Sequence, residues 1–147
     1  MTDTPSLEID LVQLITVPTQ DQSRSLAFYE SLGFEVRADF PWGDGHRWIE
    51  VYPPGTSTGL VLMPAGPDRV GIRTGIILNT GDIDAAYEHM KQLGVDVDAG
   101  IARIGSPVKI RIGAVEQTGP QPPMFWFRDP DENELLLVEP HLVEATA

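Results

Sequence analysis

Residues 21–36 read DQSRSLAFYESLGFEV, and residues 82–97 read DIDAAYEHMKQLGVDV. Both stretches begin with Asp, reach Leu-Gly after the same interval, and end in an acid followed by Val. The same offset of 61 residues aligns the apolar segments before them, LVQLITVP (11–18) and IRTGIILN (72–79). A duplicated strand–helix–strand unit therefore decides the fold, since two copies are too few for a solenoid. We expect two modules that pair and place a site between them.

Cap and turn residues around the first copy predict a βαβββ module. EIDLVQLITV (8–17) is apolar and β-branched, which is typical of a buried strand. Asp21 suits a helix N-cap, and Gly33 suits the position after the helix, where glycine adopts positive φ at little cost. RWIEVY (47–52) and GLVLM (59–63) follow as further strands of a meander.

The second copy repeats this order and ends in a hairpin. Asp82 is its expected N-cap, and its last two strands are predicted at MFWFR (124–128) and ELLLV (134–138). The turn between these strands is rich in Asp, Pro and Asn, which favour tight turns. Before them, VKIRIGAV (108–115) alternates and predicts one strand, and residues 116–123 predict a loop.

Segment 100–123 shows a less regular pattern than the rest of the chain. Its Arg103, Lys109 and Arg111 concentrate positive charge in an otherwise acidic chain. The segment is interpreted either as a lid over the cavity or as a dimer contact, and the residues alone do not choose between the two.

Composition narrows the classes of function. The 147 residues suit one domain or two small fused modules, and 41% apolar residues suffice for a core. The absence of cysteine excludes disulfides, zinc ribbons and thiol nucleophiles. A net charge of −12 disfavours nucleic acid as a partner and would attract a cationic ligand. No signal peptide and no membrane-spanning run is recognised, so we expect a cytoplasmic protein without a membrane partner.

Three motifs, in this order and spacing, carry a family resemblance: AFYESLGFEV (27–36), GDIDAAYEHMKQLGV (81–95) and FWFRDPDENELLLVEP (125–140). Together with the duplication, they resemble the glyoxalase / bleomycin-resistance / extradiol-dioxygenase superfamily, also called the vicinal oxygen chelate proteins.

The resemblance implies an α+β fold in which tandem βαβββ modules form a curved sheet around a central cavity. It implies one domain over residues 1–147, with module one at about 8–64 and module two at about 71–140. It also implies a homodimer.

The resemblance further implies one divalent metal ion, held by His, Gln or Glu side chains from the first and last strands of each module. The residues at the matching places here are mostly unable to ligate a metal: Gln13, Thr74 or Gly75, Leu60 or Val61, and Leu136. One neutral amide cannot hold a divalent ion against water. We therefore expect that the family's metal site is absent and that no cofactor is bound. Binding of a divalent metal ion is kept as the alternative.

Two strands carry aromatic residues that suit a ligand site. Trp48 and Glu50 share one face of their strand by alternation, and Trp126 and Arg128 share one face of another. If these faces line the cavity, two indoles could hold a flat ligand, and Glu50 could pair with a cation or act as a general base. His46 precedes the first of these strands and could reach the cavity mouth. Packing of the tryptophans in a core or dimer interface is an equally weighted interpretation.

The favoured hypothesis is a metal-independent protein of the bleomycin-resistance type that binds a small aromatic molecule. Its predicted ligand-binding residues are Gln13, His46, Trp48, Trp126 and Arg128, and its candidate catalytic residue is Glu50.

The alternative is a lyase or isomerase resembling glyoxalase, with a non-standard metal site or Glu50 as general base; a dioxygenase is less favoured. A third possibility is a protein kept for protein–protein contact.

Overall fold

Two copies of one strand order make up the chain in the computed structural model, which describes residues 4–118 and 122–140. The chain divides after Ala65 into two units, here called unit one and unit two. The elements of unit one are β1 (Leu14–Thr19), α1 (Gln22–Ser31), β2 (Glu35–Pro41), β3 (Arg47–Tyr52) and β4 (Gly59–Pro64). Its sheet has the order β1-β4-β3-β2, and β1 runs parallel to β4.

Unit two has the same core and one addition. Its elements are β5 (Arg73–Asn79), α2 (Ile83–Gln92), β6 (Asp96–Val97), β7 (Lys109–Ile112), β8 (Val115–Thr118), β9 (Met124–Arg128) and β10 (Glu134–Val138). The order β5-β10-β9-β6 matches that of unit one, and β7 and β8 form a separate hairpin. The predicted α+β class and the duplicated βαβββ order are confirmed. Whether the two modules act as one domain stays a prediction.

The duplication extends to single hydrogen bonds at the helix ends. The carboxylates of Asp21 and Asp82 each accept a hydrogen bond of 3.0 Å from the backbone amide three residues later. Gly33 and Gly94 follow the helices with φ of 95° and 78°, a conformation that costs other residues more. The same capping residues therefore begin and end both helices. No helix in the described part of the chain is long and apolar enough to cross a membrane.

In unit one, one face of the sheet packs against α1. Arg47 of β3 reaches Ser23 of α1 with a 2.8 Å hydrogen bond, so its side chain lies on the helix side. Ile49 and Val51 follow by alternation on the same side and are fully buried. Trp48, Glu50 and Tyr52 consequently lie on the side away from the helix.

In unit two, the face toward α2 is aromatic and aliphatic. Tyr87 of α2 contacts Phe125 of β9 edge to face, with ring centroids 5.0 Å apart. Phe127 shares that face by alternation and is fully buried. Trp126 and Arg128 therefore lie on the side away from the helix, like Trp48 and Glu50 in unit one.

Strand pairing shows which residues of the two units are equivalent. In both units the last strand runs parallel to the first, and Val61 and Leu136 hold corresponding places in it. Glu50 pairs with Val61 and Trp126 with Leu136, so Glu50 and Trp126 are equivalent. The offset, 61 residues between Asp21 and Asp82, is 75 between Val61 and Leu136. The insertion between β6 and β9 accounts for fifteen residues, since Glu50 and Trp126 lie 76 residues apart. The turn from β9 to β10 is one residue shorter than the turn from β3 to β4.

The prediction of one strand over 108–115 is wrong. Gly113 adopts a positive φ of 58° and turns the chain, so the segment forms both β7 and the start of β8. Strand β8 (Val115–Thr118) also takes residues 116–118 out of the predicted loop 116–123, of which residues 119–121 lie outside the described residues.

The first strand also differs from its prediction, since β1 begins at Leu14 and residues 8–13 precede it. Pairing of β1 with β4 continues through Pro18 without a shift, which an edge strand allows because only one side is paired. The corresponding pair in unit two, β5 and β10, does shift its register, between Glu134 and Leu136 and opposite Gly75 at a φ of 73°.

Candidate ligand-binding site

The inserted hairpin of unit two covers the sheet face that points away from α2. Ile110 of β7 is 3% exposed and packs into a buried apolar cluster on this face. The cluster contains Ala102, Ile110, Met124, Trp126, Leu136 and Val138. The hairpin is thus held to the sheet by apolar burial, and whether it acts as a lid or as a dimer contact stays a prediction.

A pocket of about 420 Å³ lies beside this cluster, between β7 and the sheet. We call it the β7 pocket; its lining includes Trp126, Ile110, Val108, Arg73, Arg128 and Glu134. The indole Nε1 of Trp126 donates a 2.9 Å hydrogen bond to the backbone carbonyl of Arg111 in β7. This bond fixes the orientation of the ring, so the surface that Trp126 offers to the pocket is apolar.

Paired charges line the pocket beside Trp126. Arg128 donates to Asp98 at 2.7 Å and to Glu134 at 3.2 Å. Burial lowers the pKa of Arg128, but the hydrogen bond to Asp98 and the nearby carboxylates outweigh burial and leave the pKa above its usual value. Arg73 pairs with Glu134 at 3.2 Å, and its guanidinium lies 5.8 Å from the centroid of the Trp126 ring. Charged groups with fixed partners can orient a polar substituent of a ligand.

The equivalent face of unit one carries a fixed carboxylate. Glu50 accepts hydrogen bonds from Trp48 Nε1 at 2.7 Å and from the Tyr52 hydroxyl at 2.6 Å, one on each oxygen. All three side chains come from β3, where alternate residues share a face. The two donors hold the Glu50 carboxylate in one orientation.

Two further aromatic residues lie beside Trp48, which donates to this carboxylate. Trp42 contacts Trp48 with ring centroids 5.2 Å apart and planes at 75°. Phe40 of β2 pairs directly with Trp48, and Phe40 and Trp42 are 50% and 44% exposed. We call Phe40, Trp42, Trp48 and Glu50 the aromatic face of unit one.

Tyr52 is held between β4 and β2. Its ring lies so close to Gly59 that a Cβ there would meet ring carbons at 2.7 Å, and the Arg37 guanidinium lies 4.2 Å from the ring centroid. The hydrogen bond to Glu50, with burial and the charge of Glu50, raises the pKa of Tyr52, although Arg37 opposes this. The phenol therefore stays a donor to Glu50 into the alkaline range.

The structure brings some of the predicted site residues together and leaves others apart. Trp48 contacts Glu50 in unit one, and Trp126 and Arg128 line one pocket in unit two. Gln13 is exposed before β1, where its backbone carbonyl accepts from Gly59 at 2.9 Å. His46 is exposed in the turn before β3, and its backbone bonds to Trp42 and Gly43 close that turn.

The residues of the first and last strands do not fit the metal ion that the resemblance implies. Glu134 of β10 lies on the face away from the helix, but two arginines hold it in ion pairs. At the matching places further along these strands, the same face presents Thr16 and Val61 in unit one, and Ile77 and Leu136 in unit two. Side chains of this kind are not the imidazole, carboxylate or thiolate ligands that divalent ions use. Among residues 4–118 and 122–140, no group of three or more His, Asp or Glu side chains could hold a metal ion.

The fold and these features define an α+β protein of two βαβββ units with a ligand-sized pocket. A family model described as the Glyoxalase/Bleomycin resistance protein/Dioxygenase superfamily matches residues 11–137. The chain belongs to this superfamily, and the resemblance read from its motifs is confirmed.

Several relatives match along nearly their whole length. TnmS3, an antibiotic binding protein from Streptomyces sp. CB03234, is 33% identical; the match covers 92% of this chain and 100% of that one, with a TM-score of 0.70. A superfamily member from Sphaerobacter thermophilus DSM 20745 is 31% identical over 90% of this chain and 99% of its own, with a TM-score of 0.70. YetH, an uncharacterized protein of Bacillus subtilis (strain 168), is 31% identical over 89% of this chain and 99% of its own.

Proposed function

We propose that this protein binds a small aromatic molecule in the β7 pocket without a metal ion. The observation that carries the proposal is the pocket of about 420 Å³ that Trp126 lines with a fixed, apolar ring. Ligand sites are typically concave and of a few hundred Å³, and combine apolar lining with placed polar groups. This pocket is rich in the second kind, since six of its ten lining residues are charged. Val108 and Ile110 supply further apolar lining, and the paired charges of Arg73 and Arg128 supply the polar groups.

The relatives support a binding role. TnmS3, at 33% identity over nearly the whole chain, is described as an antibiotic binding protein. A superfamily fold by itself does not imply one activity, because function depends on the residues of the site. The pocket residues of this chain therefore carry the argument, and the relative agrees with it.

The polar contacts favour binding over catalysis. Both oxygens of Glu50 already accept hydrogen bonds, and Arg128 is held by Asp98 and Glu134. Groups with such fixed partners orient a ligand more readily than they exchange protons with it. A lyase or isomerase reaction therefore stays a prediction without a supporting contact.

Isothermal titration calorimetry with a panel of planar aromatic compounds tests the proposal, using protein treated with EDTA. Ala99 lines the pocket and is exposed, so Ala99→Phe should block entry and weaken binding at least about tenfold without disturbing the core. Ala27 is exposed on α1 of unit one, and Ala27→Phe serves as the matched control that leaves binding unchanged.

Two results would contradict the proposal. One is about one equivalent of tightly bound transition metal per chain in elemental analysis of protein purified without chelator, with binding lost after its removal. The other is equal affinity of Ala99→Phe and the parent protein for every compound that binds.

We also propose a homodimer. Edge strand β5 leaves Ile77 60% exposed, and Ile72 just before it is 41% exposed. Apolar side chains along an unpaired sheet edge are suited to contact another chain. Light scattering coupled to size-exclusion chromatography should give twice the monomer mass of 16.1 kDa, and Ile77→Lys should reduce it to the monomer value.

A further inference from the structure

We infer that the aromatic face of unit one is a second binding site, which takes an alkylammonium group. This site lies in a different unit from the β7 pocket and does not depend on the function proposed for that pocket. Three features of the described residues support it: two indole rings that form a corner, a fixed carboxylate beside them, and no basic side chain paired with that carboxylate.

The rings provide two walls. Trp42 and Trp48 meet at 75° with centroids 5.2 Å apart, and Phe40 lies opposite Trp48 on the neighbouring strand. The faces of aromatic rings attract cations within about 6 Å of the centroid, and quaternary ammonium ligands are bound by such groups of rings. Trp42 and Phe40 are about half exposed, so their surfaces are accessible to a ligand.

The carboxylate provides the charge. Glu50 lies at the indole nitrogen of Trp48 and is oriented by that nitrogen and by Tyr52. Within the described part of the chain, no Lys, Arg or His side chain forms an ion pair with Glu50. Arg37, which lies over the ring of Tyr52, is paired with Glu35 at 3.2 Å. A ligand cation would therefore supply the counter-charge that the protein does not.

The same features indicate an alkylated ammonium rather than a bare one. A primary ammonium is strongly hydrated and loses that hydration between the rings, whereas methyl groups on nitrogen spread the charge and contact the indole faces. The net charge of −12 favours the approach of any cation, so the selectivity must come from the local contacts.

Nuclear magnetic resonance provides a test that separates the two sites, because each indole N–H gives its own signal. The probes are choline and 3,3-dimethylbutan-1-ol, which replaces the quaternary nitrogen with carbon and has no charge. Choline should shift the Trp42 and Trp48 signals with saturation and leave the Trp126 signal unmoved. The uncharged alcohol should bind at least about tenfold more weakly, because it lacks the cation.

Two isosteric variants complete the test. Glu50→Gln should weaken choline binding at least about fivefold and leave the affinity for the alcohol unchanged. Glu88→Gln removes the same charge from an exposed site on α2 and should leave both affinities unchanged, which controls for the long-range field.

Equal binding of choline and the alcohol, or equal effects of the two Gln variants, would overturn the inference, as would no shift of Trp42 and Trp48 with choline. None of these results bears on aromatic compounds in the β7 pocket, since those are read by calorimetry and by Ala99→Phe. If choline binds as expected but calorimetry detects no aromatic ligand, or no effect of Ala99→Phe, only the proposed function is contradicted.

Discussion

The two units differ on the sheet face that points away from the helix. In unit two, β7 and β8 cover this face, and Met124 and Trp126 are 6% and 7% exposed. In unit one, residues 42–46 join β2 directly to β3, and Phe40 and Trp42 remain about half exposed. Duplicated caps and strands thus produce the same scaffold twice, whereas fifteen inserted residues decide whether the face forms one wall of a pocket or stays an accessible surface.

Equivalent positions show the same contrast at single residues. Glu50 and Trp126 hold one equivalent position, and Tyr52 and Arg128 hold another. In unit one the carboxylate at this position is bound by neighbours on its own strand, whereas the indole in unit two is bound by the hairpin. The side chains at these equivalent positions and their hydrogen bonds therefore differ, although the strands pair in the same order.

The largest expected effect comes from removing the apolar contact of the hairpin. Ile110→Ala should lower the free energy of unfolding by about 3 kcal/mol, because a buried isoleucine loses its burial and leaves a cavity. Ile112 belongs to the same strand but is 37% exposed, so Ile112→Ala should cost less than about 1 kcal/mol. Urea unfolding of both variants measures the difference. Equal costs would mean that the hairpin is not packed on the sheet.

The next effect concerns the closest contact in unit one. Gly59→Ala places a Cβ 2.7 Å from the Tyr52 ring, so the ring must move and its hydrogen bond to Glu50 is strained. Overpacking of this kind costs about 2 kcal/mol. Gly81→Ala is the control, since its Cβ meets nothing within 4 Å. Thermal unfolding that is unchanged by Gly59→Ala would show that Tyr52 is free to move.

A smaller effect is expected from the bond between Trp126 and the hairpin. Trp126→Phe keeps an aromatic ring but removes the donor to the Arg111 carbonyl, which should cost about 1 kcal/mol. Amide hydrogen exchange should quicken in β7 and remain unchanged in β2, a strand of unit one that the hairpin does not belong to. If the amides of β7 exchange equally slowly in wild type and Trp126→Phe, the apolar contact of Ile110 is enough to hold the hairpin on the sheet.

The smallest effect is a dependence on alkaline pH in unit one. Because the pKa of Tyr52 is raised in the folded protein, its contribution to stability is complete below the unfolded value of about 10 and is lost as pH rises through the folded value. The stability difference between wild type and Tyr52→Phe should therefore shrink above pH 10. Denaturant unfolding at pH 8 and pH 11 checks this. A stability difference that grows with pH would contradict the raised pKa of Tyr52 in the folded protein.

The sequence was sufficient to predict the scaffold because its signals are local. Asp21 and Asp82 cap helices through amides three residues away, and Gly33 and Gly94 end them through their own φ angles. Each of these effects acts within a few residues, so a repeat in the sequence predicts a repeat in the structure.

The sites were predicted only in part, because they depend on distant pairing. The alternation of 108–115 fits one strand as well as two, and only the positive φ of Gly113 separates them. The roles of Phe40, Arg73 and Ile110 were missed, since each depends on a neighbour on another strand. Alternation did group Trp48 with Glu50 and Trp126 with Arg128, but which face each group occupies depends on the side taken by the helix.

Each sheet uses strands from one continuous stretch of chain, with the division after Ala65. During translation, every strand of the first sheet is therefore synthesised before β5 begins, and none of its pairings has to wait for a C-terminal segment. The second sheet differs, since β5 pairs with β10 and must wait until the hairpin and the last strand have been made. Synthesis from the N-terminus therefore completes the first sheet before the second, although the two sheets have the same strand order.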